Sequence, residues 1–198
     1  MIPTPFDRPQ RAGLLVLVAL LVVLAGCGGK TPAQLALDEL NAGLASTNQE
    51  EAAAHYRACL KHDSLNQFCI YNLGVGTHEA GRLLEAENNY RLALLIDPDF
   101  GRALFNLAVL RAAGGGTDEA IALYRHAIEV EPENAGAHLN LGLLLRATGQ
   151  VAEGEAELAK AKALDPNIVV PSFQPEASPT PTPDASGSES ASPSETPS

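Results

Sequence analysis

Between residues 67 and 168 the apolar and polar positions follow a helical period, and the whole pattern returns every 34 residues without a gap. The middle unit, 101–134, reads as a helix, a glycine-marked turn, a second helix and a proline stop. Units 67–100 and 135–168 repeat it column for column. Asn72, Asn106 and Asn140 share a column, followed by Leu73, Leu107 and Leu141 and then by the small residues Gly74, Ala108 and Gly142. The turn column is Gly81, Gly115 and Gly149. The second helix carries Ala86, Ala120 and Gly154, then Tyr90, Tyr124 and Leu158, then Ala93, Ala127 and Ala161. Each unit closes on Asp97–Pro98, Glu131–Pro132 or Asp165–Pro166.

Each column has a physical reason. Small residues let two helices approach closely, and the aromatic column wedges between neighbouring hairpins. Glycine ends the first helix where φ must be positive, and proline cannot continue the second. One hairpin alone cannot bury its apolar face, so the units must stack. On these columns the chain resembles the tetratricopeptide-repeat (TPR) proteins, closely over 67–168 and loosely over 33–66. In the loose unit Leu35, Leu37, Leu40 and Leu44 form a helical stripe, and Thr47 is placed as N-cap of a helix running to His62. Ala52, Tyr56 and Cys59 hold the expected columns, whereas Glu39, Thr47 and Ser64 depart from Leu, Gly and Pro.

The resemblance implies an all-α, right-handed superhelix of three clear repeats and one degenerate N-terminal repeat. It also implies a non-catalytic scaffold that binds a protein or peptide in a concave groove lined by the first helix of each hairpin. Carried onto this chain, the groove columns are Phe68, Tyr71, Asn72 and Val75, then Arg102, Phe105, Asn106 and Val109, then Leu139, Asn140, Leu143 and Arg146. An asparagine ladder in some relatives holds a peptide backbone, a task that suits an amide because it both donates and accepts. The subtype that grips a terminal carboxylate is matched only in part by Asn41, Asn72, Arg102 and Asn106, because Leu37 stands where a cation is expected.

The two ends read differently from the repeats. Arg8 and Arg11 precede an apolar run from Leu14 to Ala25, too short to span a bilayer comfortably, which takes about 20 apolar residues. It matches a secretory signal over 1–26. Its ending, Leu24-Ala25-Gly26-Cys27, resembles the bacterial lipobox, which implies acylation of Cys27 and anchoring in a membrane through lipid. Cysteine 27 to Pro32 then forms a short linker that holds the repeats close to the membrane surface. Gly28 rather than Asp after Cys27 favours an outer membrane, where the organism has one, over the outer face of the cell membrane. Residues 169–198, rich in Pro, Ser and Thr, are expected to be a disordered tail.

Loss of 1–26 removes Arg8, Arg11 and Asp7 and takes the net charge from −11 to −12. Such a surface excludes nucleic-acid binding by charge. The last helix, with Glu153, Glu155, Glu157, Lys160 and Lys162, is polar enough to close the stack and keep the chain monomeric.

Two cysteines remain beside Cys27. Cys59 lies late in one helix and Cys69 early in the next, so the turn brings them face to face within the roughly 4.4–6.8 Å that a disulfide needs. Two buried thiols, or a zinc site with His55 and His62, are the alternatives; the ligand spacing follows no known zinc module. No nucleophile elbow, metalloprotease motif, phosphate loop or dinucleotide fingerprint occurs, and Gly114-Gly115-Gly116 falls in the turn column. The expectation is therefore an envelope lipoprotein with no catalytic role, metal or cofactor, which binds a protein or peptide partner. The alternative is a structural spacer or self-assembling envelope protein.

Overall fold

Helix boundaries follow local chemistry. Thr31 caps α1 (Pro32–Ala45) in a capping box: its hydroxyl accepts from Gln34 N at 3.2 Å, and Gln34 Oε1 accepts from Thr31 N at 2.8 Å. Proline 32 supplies a preset φ at the first helical position. Helix α2 (Gln49–His62) is capped by Asn48, whose Oδ1 accepts from Glu50 N and Glu51 N. The cap is thus one residue later than Thr47. The Asn carboxamide meets two free amides there, while the Ser46 hydroxyl turns to Glu51. Asn66 and Asn134 cap α3 (Gln67–Glu79) and α7 (Ala135–Ala147) in the same way. The remaining helices are α4 (Leu83–Ile96), α5 (Gly101–Ala113), α6 (Thr117–Val130) and α8 (Val151–Leu164). The structure, a computed structural model, describes residues 29–171, and these eight helices are all the regular structure among them.

Within the last three hairpins one turn recurs. Gly81, Gly115 and Gly149 have φ of 73°, 81° and 84°. Arg82 N bonds Thr77 O at 2.9 Å, Gly116 N bonds Arg111 O at 2.8 Å, and Gln150 N bonds Leu145 O at 2.9 Å. These are Schellman closures, in which a residue with a Cβ would be strained.

Helices pair as α1–α2, α3–α4, α5–α6 and α7–α8, and each pair packs on the next. Gly74 lies so close to Tyr90 that a Cβ would meet its ring at 2.8 Å. Tyr90, fully buried, then clusters with Ala86 of its own helix and with Leu107 and Leu110 of the next hairpin. Tyr124 does the same with Leu141 and Leu145. Burial raises both phenols, Tyr124 to about 12.

Salt bridges link the second helices. Arg91 reaches Glu119 at 2.6 Å, and Arg125 reaches Glu153 at 2.7 Å. Hydrogen bonding from Arg91, with help from Arg111 at 2.7 Å, holds the Glu119 carboxyl below the usual range. The acids of α8 are not all turned to solvent. Glu155 pairs with Arg146, and Glu157 meets the buried His138 at 2.5 Å. Burial would raise Glu157, but Lys160 and His138 outweigh it, so its carboxyl too lies low. His138 completes its bonding through Nε2 to the Pro132 carbonyl at 3.0 Å.

Candidate functional site

The predicted groove columns sit on α3, α5 and α7, and packing divides them. Tyr71 is half-buried, its ring 5.0 Å from that of Phe100 and 6.0 Å from that of Tyr90, and its hydroxyl accepts from Asn106 Nδ2 at 3.0 Å. Phe68 remains 46% exposed, with one edge on Phe100. Phe105 packs edge-on to Tyr124, and Val75 and Val109 flank the cores of successive hairpins. Leu139, Asn140 and Leu143 are half-exposed, and Arg102 is exposed beside Tyr71.

The three asparagines share a column but not a partner. Asn72 Nδ2 donates to the Phe68 carbonyl of its own helix at 2.8 Å, Asn106 donates to the Tyr71 hydroxyl, and Asn140 lies beside the Tyr124 hydroxyl. Asn106 therefore satisfies a phenol that burial would otherwise leave short of a partner. Arg146 belongs elsewhere: it is 7% exposed and turned towards Glu155 of α8. Of the two arginines in the predicted groove, Arg102 alone stands at the surface.

Cys59 and Cys69 are fully buried and joined in a disulfide, with Cα atoms 6.5 Å apart. Both sulfurs of the zinc alternative are thereby consumed, and His55 is turned to Glu39 at 2.7 Å. Among the described residues no group of three or more His, Cys, Asp and Glu is placed to hold a metal. No described helix is long and apolar enough to cross a membrane; the run before Cys27, Cys27 itself and residues 172–198 lie outside the described part.

A cavity of about 580 Å³ opens between the end of α1, the start of α2 and α3. Leu44, Tyr56, Arg57 and Gly76 line it together with Asn72 and Val75. The first four were not among the predicted site residues. A legible signal existed, because Gly76 shares a column with Leu110 and Leu144.

Family models match this architecture. Residues 110–149 match the TPR repeat, and 78–129 and 135–168 match the tetratricopeptide repeat. Residues 78–168 thus carry tetratricopeptide repeats, and the described helices form a TPR solenoid. Among solved structures, a MamA protein shares 18% identity over 82% of this chain and 97% of its own, with a TM-score of 0.56. MamA 41-end from Desulfovibrio magneticus RS-1 shares 20% over 69% and 77%, at 0.60. YrrB, described as a TPR protein with an unusual peptide-binding site, shares 23% over 66% and 69%, at 0.59. These likenesses are of fold. Among curated proteins no sequence match was found.

Proposed function

We propose that this chain is a lipid-anchored envelope protein whose solenoid binds an extended segment of a partner protein along the face formed by α3, α5 and α7. The observation that carries the reading is the surface those helices leave open. Phe68 and Arg102 are exposed there, with the half-exposed Asn72, Leu139, Asn140 and Leu143 in the same columns. Apolar side chains of the partner would be buried on this surface, and its backbone would meet the asparagines. Asn72 gives up only a bond to its own helix in doing so, and Asn106, which donates through Nδ2, keeps its oxygen as an acceptor. YrrB, a solenoid of the same fold, has a peptide-binding site, which supports the reading by analogy.

Envelope location rests on Leu24-Ala25-Gly26-Cys27 and the basic, apolar stretch before it. Two or three acyl chains on Cys27 would anchor the protein stably. The test has two arms. Capture from intact envelopes is compared between the native chain and Asn72→Ala/Asn106→Ala/Asn140→Ala, with helicity checked by circular dichroism; a partner lost only with the triple variant is expected, and identical captures would end the groove reading. Labelled palmitate should enter the native protein and not Cys27→Ala, and equal labelling would end the anchor reading.

A further inference from the structure

The three junctions between hairpins are built from the same columns but not from the same residues. The column of Gly76 continues as Leu110 and Leu144, and the column of Ala53 continues as Glu87 and Ile121. Leu110 is buried and Leu144 packs on the core around the buried Ile121. At the first junction these positions are Gly76 and Ala53, and both line the 580 Å³ cavity, which larger side chains there would narrow. That volume falls within the roughly 300–1,000 Å³ of ligand pockets.

The charge ladder breaks at the same place. Arg91–Glu119 and Arg125–Glu153 predict a third rung from Arg57 to Glu85, 28 residues on. Instead Glu85 takes Arg82, the residue just before its helix, and Arg57, on the cavity wall, pairs with no carboxylate among the described residues. Leu44 lies at the mouth with 59% of its surface exposed. The cavity therefore offers the exposed Leu44, the buried ring of Tyr56 and one guanidinium without a carboxylate partner, with Glu50 and the Gln49-bonded Glu79 also on its wall. It shares Asn72 and Val75 with the groove columns.

We infer that this cavity is the specificity pocket for the partner, which takes one large apolar side chain of the bound segment while Arg57 pairs with an acidic residue next to it. The inference rests on the groove reading above. Continuity through Asn72 and Val75 makes the occupant the same extended chain that lies on α3. Arginine's planar fork suits a carboxylate.

The test uses the full chain in detergent and a display library of random peptides with amidated C-termini, so that no terminal carboxylate competes. Selection on the native protein is expected to enrich peptides in which Leu, Phe or another large apolar residue lies within two positions of Asp or Glu. Gly76→Leu should fold, since a Cβ at that position meets only Gln49 at 3.9 Å. It should weaken the selected peptides at least tenfold. Arg57→Gln should keep the apolar preference and lose the acidic one. Equal binding to Gly76→Leu, with binding lost in the triple asparagine variant, would overturn the pocket and leave the groove standing. Enrichment without an apolar–acidic pair overturns the pocket as well. No enrichment at all overturns both.

Discussion

The first junction and the two that follow it hold the same kind of hairpins together by different means. At the second and third, alanine meets alanine (Ala93 with Ala103, Ala127 with Ala137), Leu110 and Leu144 pack two turns further along, and an arginine–glutamate rung closes the outside. At the first, Cys59 and Cys69 occupy the two alanine positions and are covalently joined, while the leucine and the rung are missing. A crosslink between helices replaces contacts that would otherwise have to be packed. It leaves room in the one junction whose walls it fixes.

The largest effect is expected where filling is complete. Tyr90→Ala should cost about 3–5 kcal/mol in denaturant unfolding, as large aromatic truncations do, whereas Tyr56→Ala, beside the cavity, should cost clearly less. Equal losses would mean that the first junction is as well packed as the others. Cys59→Ala/Cys69→Ala recreates the alanine pair of the other junctions. It should remove roughly 2–3 kcal/mol, with amide exchange rising in α1 and α2 before α5 to α8. Uniform exchange along the solenoid would deny the crosslink its local role.

Gly76→Leu moves the comparison in the other direction. It should add about 1 kcal/mol from helix propensity alone, and more if the side chain fills the cavity. A loss would show that the cavity is tighter than its volume implies. The rungs come last: Arg125→Ala should cost about 0.2–1 kcal/mol, and Arg57→Ala should change stability less. Glu119 and Glu157 add a pH signature. Their folded carboxyls lie below the unfolded value, so their stabilisation is present above about pH 4.3 and is lost as pH falls through the folded values. Urea midpoints measured from pH 7 to pH 3 should fall less steeply in Glu119→Gln. An unchanged slope would remove Glu119 from the account.

Much of this was legible in the residues. Turn glycines, proline stops, small-residue columns and the approach of Cys59 to Cys69 all follow from local rules with strict spacing. The capping box at Thr31–Gln34 was equally legible in its Thr-Pro-Ala-Gln spelling, and Asn48 competed with Thr47 within one residue. Side-chain partners were not. Arg146 and Arg102 both read as groove cations, yet one turns inward to Glu155 because α8 supplies a carboxylate there. Asn106 reads as a ligand contact and is found on Tyr71, 35 residues back.

By itself, the sequence determined the period, the order of helices and turns, and which columns face a neighbour, because backbone hydrogen bonding and steric limits act within a few residues. Only the tertiary structure decided what each column meets across a junction: a phenol, a carboxylate, a sulfur or a cavity. That depends on side chains about 10 to 35 residues apart whose volumes and charges are matched only when the hairpins stack.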